Sequence, residues 1–205
     1  MIKGRKLNFL NMLFITAVLA SSIMATKLFN LFGMALPAAV IVFPITFLVT
    51  DVINEVWGKN EANNTVKLGF ISNLLFTLFI YIAIILPPFK FWELQTEFEM
   101  VLGSVPRITL AGLASFIVSQ TLDVHIFHKL KIKHDDKKLY IRNNVSTITS
   151  QLVDSFTFIF LAFVGTIPLL EIFKTAFMQW LVKAVLALLD TPFCYAMVRW
   201  AKERS

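Results

Sequence analysis

Two copies of one short pattern stand out among the residues that could do chemistry. Ser119-Gln120-Thr121-Leu122-Asp123 and Ser150-Gln151-Leu152-Val153-Asp154 share the form Ser-Gln-x-x-Asp. On a helix, a glutamine one turn before an aspartate sets an amide and a carboxylate side by side, able to give and take hydrogen bonds with one planar partner. Such a pair suits a guanine-like edge, where the acid accepts two N–H donors and the amide meets a carbonyl or ring nitrogen. The plainer alternative is interhelical glue, worth about 0.6 kcal/mol per bond. Around the second copy, Asn144, Thr147, Gln151, Asp154 and Phe158 follow steps of 3, 4, 3 and 4, so they share one helix face. Ser119, Gln120, Asp123 and Phe127 do the same. Thr50, Asp51, Asn54 and Glu55 form a similar patch, and Lys183 and Asp190 lie seven residues apart on one face.

The elements that carry these groups must be membrane helices. Hydrophobic residues make up 57% of the 205 and charged residues only 16%, with mean hydropathy +0.73, far from a soluble composition. The 21 Phe suit lipid contact, and 7 Gly with 7 Pro exclude collagen-like and low-complexity classes. A single cysteine, Cys194, rules out an internal disulfide, a CxxC redox pair, a zinc ribbon and an iron–sulfur ligand set. A helix needs about 20 mostly apolar residues to cross roughly 30 Å of hydrocarbon with every amide paired. Six stretches qualify, at about 8 to 27, 34 to 56, 66 to 87, 107 to 128, 144 to 165 and 173 to 198. Their lack of alternation excludes a β-barrel. The expected fold class is all-α, a single six-helix polytopic domain over residues 1–205.

Basic residues give its orientation. With the N-terminus inside, the cytoplasmic segments hold Lys3, Arg5, Lys6, Lys59, Lys67, Lys129, Lys131, Lys133, Lys137, Lys138, Arg142, Arg199, Lys202 and Arg204, which is 14 of the 19. The outer ends hold Lys27, Lys90, Arg107 and Lys174, so the positive-inside rule places both termini in the cytoplasm. The run from Lys129 to Lys138 is thereby a topology determinant at an anionic leaflet, and nucleic acid is not an expected partner. A basic start, an apolar run and small residues also describe a signal peptide. Here the run is long for one, and its removal would leave five spans with inconsistent ends. Ala17, Ser21 and Ala25 recur every fourth position and read as a close helix–helix contact face. In the loop from Pro88 to Pro106, Phe89, Phe91 and Trp92 are expected at the membrane interface.

Five acids at membrane depth, Asp51, Glu55, Asp123, Asp154 and Asp190, face one strong base there, Lys183. An ionised Asp at a helix centre costs about 2.5 to 3.5 kcal/mol on insertion scales, so these groups require partners, protonation, water or a cationic ligand. Lys183 is expected as counter-ion to an acid on a neighbouring helix, and proton coupling is allowed by the charge count. Asp123 with His125 and His128 lacks the context of a metal site, and neither a metal nor a cofactor is expected. Asp51-x-x-x-Glu55 could hold magnesium and a lipid phosphate, as in membrane transferases, but no second acidic motif with basic phosphate ligands accompanies it. Neither a Gly-x-Ser-Gly nucleophile loop nor a Walker motif is present, so the chain is expected to be no enzyme. Pro37, Pro44 and Pro192 fall within the apolar spans, where they permit kinks beside a cavity or ordinary bending.

Three segments in order carry a resemblance: Phe43-Pro44-Ile45-Thr46-Phe47-Leu48-Val49-Thr50-Asp51-Val52-Ile53-Asn54-Glu55-Val56-Trp57-Gly58-Lys59, Ser119 to Val124, and Arg142-Asn143-Asn144-Val145-Ser146-Thr147 running on to Ser150-Gln151-Leu152-Val153-Asp154-Ser155. Together they resemble the queuosine precursor transporter family, also called the vitamin uptake transporter family, over about residues 8 to 200. The resemblance implies a six-helix, multi-pass carrier of the bacterial inner membrane. It would import 7-deazaguanine bases, such as 7-cyano- or 7-aminomethyl-7-deazaguanine or queuine, for the queuosine of tRNA. The candidate contacts to such a base are Asp51, Glu55, Ser119, Gln120, Asp123, Asn144, Thr147, Gln151 and Asp154, with Trp57, Phe127 or Phe158 to stack on it. Lys183 and Asp190 are the candidates for coupling or counter-charge. The alternatives that stay open are a substrate-binding subunit of an energy-coupling-factor importer, which needs an ATPase energising module, and, more distantly, a metal-dependent membrane enzyme acting on lipid phosphates. Homo-oligomers are equally open.

Overall fold

The computed structural model describes residues 2–133 and 139–202, with side chains described at all of these except 2, 3, 120, 123, 124, 127, 128, 130–133, 139–147, 187, 188, 190 and 191. In chain order the described elements are α1 (Ile2–Met24), strands β1 (Leu28–Leu31) and β2 (Met34–Pro37), a 3-10 turn (Ala38–Ile41), α2 (Phe43–Trp57), α3 (Lys59–Ile85), a short α4 (Gln95–Leu102), α5 (Val105–Lys133), α6 (Leu139–Phe163) and α7 (Leu169–Lys202). Four stretches are long and apolar enough to cross a membrane: Gly4–Met24, Ala38–Trp57, Lys59–Ile85 and Gln95–Ser119; Ile148–Phe163 is a shorter apolar helix. The chain is a mainly helical, multi-pass membrane protein.

The purely helical expectation needs correction between α1 and α2. Residues 28–37 form a two-stranded hairpin, where the hydropathy pattern had the second span beginning at 34. Phe32 and Gly33 at its turn both have positive φ, 51° and 83°, as a tight two-residue hairpin connection requires, and the Asn30 side chain accepts the Gly33 N–H at 2.8 Å. The strands are apolar, so a hydropathy window cannot tell them from the start of a helix. Pro37 ends β2, and Pro44 sits in the first turn of α2, where its missing N–H costs nothing, so neither kinks a span; Pro192 does lie inside α7. The helices also outrun their apolar segments, α3 starting at Lys59 and α7 reaching Lys202. Helical hydrogen bonding continues past the hydrocarbon that hydropathy detects.

The described chain divides into two compact units. The first comprises residues 1–29, 37–109 and 185–205, the second 30–36 and 110–184. In the first, Leu10 and Phe14 of α1, Val49, Val52 and Ile53 of α2, Ala62 of α3 and Ala201 of α7 form a buried cluster, with Trp57, Cys194, Met197 and Val198 packed against it. Lys6 donates to the Trp200 carbonyl at 2.7 Å and lies over its ring, while Phe9 meets that ring edge-on at 6.1 Å. The inner side of α3 is small and polar, with Ala62, Thr65, Gly69, Asn73 and Ile80 buried, whereas Leu68, Ile71, Leu75, Phe79 and Ile82 are exposed. That arrangement is expected where the surrounding medium is lipid and close packing with hydrogen bonds holds helices together. Ser22 donates to Asn73 at 2.9 Å, Thr65 to Asn11 at 2.6 Å, and the hydroxyls of Thr77 and Thr109 are 2.9 Å apart. Ala17 and Ala25 are buried on the same side of α1.

Gly69 marks the closest approach in this unit, since a Cβ there would run into the ring of Phe14. Phe14 is itself buried and has little room to yield. Gly69→Val is therefore expected to destabilise the protein by roughly 1–3 kcal/mol, seen as a lower thermal midpoint in detergent; an unchanged midpoint would show that the ring moves aside freely.

The Pro88 to Pro106 loop contains α4, which the sequence pattern does not announce. Its aromatic residues lie outward, Phe89 and Phe91 being 72% and 78% exposed, and Trp92 packs edge-on against Phe98 at 5.8 Å. Exposed rings and apolar side chains beside the spans suit the membrane–water interface.

Candidate functional site

Buried polar chemistry is distributed unevenly. In the first unit the buried polar side chains Ser22, Thr65, Asn73 and Thr109 each have a partner on another helix. The second unit buries Ser115, Ser119, Ser150, Ser155, Thr175, Gln179 and Lys183, and its bonding is incomplete.

Its centre is Asp154 on α6. Lys183 of α7, only 7% exposed, donates from Nζ to Asp154 Oδ2 at 2.9 Å, and the Asp154 side chain is 20% exposed. Ser119 of α5 bonds the Phe116 carbonyl at 3.1 Å and lies 3.5 Å from Asp154 Oδ1, the long limit of a hydrogen bond. The serine of one Ser-Gln-x-x-Asp copy thus meets the aspartate of the other. The Asp154–Lys183 pair is neutral as a unit, which accounts for one acid and the one strong base at membrane depth. A carboxylate offers about four lone-pair sites, so these two bonds leave Asp154 able to accept further N–H groups. Gln151 and Phe158, one turn to either side, are half-buried.

Sequence reasoning passed over four groups here. The Oγ of Ser155, the Oγ1 of Thr175, the Oε1 of Gln179 and the Nε1 of Trp180 are buried and have no hydrogen-bond partner within the protein. Each such group costs roughly 1–3 kcal/mol if nothing meets it. The available signal was spacing: Thr175, Gln179 and Lys183 recur every fourth residue on an otherwise apolar helix. A search for ionisable groups finds only the last of them.

The other expected residues are placed differently. Asp51 is exposed on α2. Glu55, also exposed, accepts from Lys202 of α7 at 2.8 Å. Trp57, expected as a stacking ring, packs against the core cluster of its own unit. These three belong to the first unit and the Asp154 group to the second. The side chains of Gln120, Asp123, Phe127, His128, Asn144, Thr147 and Asp190, and most of the Lys129 to Lys138 run, lie outside the described residues. Among the described residues no three potential metal ligands cluster.

The chain is 34% identical over 184 residues to the "Probable queuosine precursor transporter" of Bacillus subtilis, covering 88% of this chain and 79% of that one. It is 27% identical over 121 residues to the protein of the same name from Haemophilus influenzae, and 26% identical over 121 residues to the "Queuosine precursor transporter" of Escherichia coli. Those two matches take in 59% of this chain and 49% and 52% of the relatives, about half their length. No solved structure matches the chain. The family model described as "Putative vitamin uptake transporter" matches residues 37–197, a stretch that holds α2 and α3, Asp154 and Lys183. By that match, and by the extent of the Bacillus likeness, the chain belongs to the vitamin uptake transporter family.

Proposed function

We propose that this protein imports a 7-deazaguanine precursor of queuosine across the bacterial inner membrane, performing no chemistry on it. The observation that carries the reading is the likeness to queuosine precursor transporters over 88% of the chain. The Asp154 group supports it with an acid that keeps acceptor capacity deep in a helical unit, as recognition of an N–H-rich planar base requires. The transport mechanism is alternating access, with the base held against Asp154 and Gln151 and stacked on Phe158, and with Lys183 as counter-charge to the acid. Asp51 and Glu55 act as a second set of contacts on the last turns of α2. The long helices α1, α2, α3, α5, α6 and α7 make six spans, with both termini in the cytoplasm as the basic residues indicate.

The test is uptake of radiolabelled 7-cyano-7-deazaguanine by cells that lack both queuosine synthesis and their own importer. Cells making this chain should accumulate the base and modify their tRNA, while cells without it should not. Purified chain in proteoliposomes should transport alone; transport only after addition of an ATPase module would replace the solitary carrier with a binding subunit. Absence of uptake by well-expressed protein in both settings would overturn the reading.

A further inference from the structure

The four unpartnered atoms beside Asp154 form a set with a definite polarity. Helices α6 and α7 run antiparallel about the turn closed by the bridge between Val164 and Ile167, and Phe156 meets Phe173 across them at 6.1 Å. Counting from that turn, Ser155 lies nine residues back and Thr175 eight residues on, so the two hydroxyls are level to within about 2 Å at 1.5 Å per residue. Gln151 at thirteen residues and Gln179 at twelve are level in the same way, one turn deeper. Asp154 lies between the two levels, bonded to Lys183.

The chemistry of these atoms is unequal. The amide oxygen of Gln179 can only accept, the indole N–H of Trp180 can only donate, and the hydroxyls of Ser155 and Thr175 do either. With the carboxylate of Asp154, the set offers two obligate acceptors, one obligate donor and two adaptable groups. A cyclic 2-amino lactam, the edge of guanine and of 7-deazaguanines, presents the complement: two N–H donors beside one carbonyl. An adenine-type edge, with one exocyclic donor beside a ring acceptor, would leave an acceptor of the site unmet, and buried acceptors left unmet are the strongest basis for rejecting an analogue.

We infer that Gln179, with the hydroxyls of Ser155 and Thr175 and the indole of Trp180, forms with Asp154 a site that reads the 2-amino-lactam edge of the substrate. The inference rests on the importer reading for its ligand, and it assigns binding to α7 residues that lie outside the Ser-Gln-x-x-Asp motifs.

Binding of 7-cyano-7-deazaguanine and of 7-cyano-7-deazaadenine to purified protein in lipid nanodiscs tests it, with uptake measured in parallel. The wild type should bind the lactam base at least about a hundredfold more tightly than the adenine-type base. Gln179→Leu should weaken lactam binding about tenfold or more, and Thr175→Val and Ser155→Ala about threefold each, with thermal midpoints no lower than the wild type's. A Gln179→Leu protein that folds and binds as the wild type does overturns the site even if uptake continues. Should that variant fail to fold, unchanged affinity in both Thr175→Val and Ser155→Ala overturns it. Equal binding of the two bases, or binding of neither, overturns it as well. Selective binding that is lost in Gln179→Leu, without any uptake, upholds the site and removes the importer reading instead.

Discussion

Asp154→Asn is expected to reduce uptake of the deazaguanine base by about two orders of magnitude or more, close to the level of cells lacking the chain. The asparagine keeps the shape and one acceptor, but it loses the charge that strengthens each N–H bond to the substrate. Two such bonds weakened together correspond to about 3 kcal/mol. The variant also leaves the ammonium of Lys183, 7% exposed, without its carboxylate, so uptake must be normalised to folded protein. Uptake per folded molecule within a few-fold of wild type would reduce the Ser-Gln-x-x-Asp helices to packing elements.

Lys183→Met separates charge balance from substrate contact. Removing one member of a buried pair strands the other, and such single losses run to about 3–5 kcal/mol in proteins. With Asp154 still 20% exposed, the lower end applies, roughly 3 kcal/mol. Joining Lys183→Met to Asp154→Asn removes the stranded charge, so the double variant should recover most of that stability while uptake stays lost. Thermal denaturation of all four proteins in one detergent gives the coupling directly. Strictly additive losses would show that the two groups do not stabilise each other, and recovered uptake would assign Asp154 a structural role alone.

What the sequence made legible followed from how strongly the membrane constrains a chain. The long helices, the contact face of Ala17 and Ala25, the outward aromatics of the Phe89 loop and the importance of Asp154 and Lys183 all follow from apolarity, spacing and the cost of charge in lipid. The β1–β2 hairpin did not, because Leu28 to Pro37 is as apolar as a helix and only Asn30 and Gly33 hint at a turn. The neutral polar column of Thr175 and Gln179 escaped for a related reason, since uncharged groups barely alter hydropathy and show only once burial is known. Trp57 shows the reverse failure: an aromatic beside two acids suggests a ligand platform, yet it fills the core beneath α1 and α2.

The Asp154–Lys183 pair also bears on how the protein is made. Neither α6 nor α7 meets the apolar criterion for a full span among the described residues, and each carries one member of the pair. A helix leaving the translocon alone with a central Asp or Lys faces a penalty of about 2.5–3.5 kcal/mol. The short connection from Val164 to Pro168 lets the two partition into lipid as one helical hairpin, each cancelling the other's charge before bilayer contact. Late synthesis of α7 would then hold α6 at the insertion machinery, and the ion pair that serves the mature carrier would double as the signal that releases both.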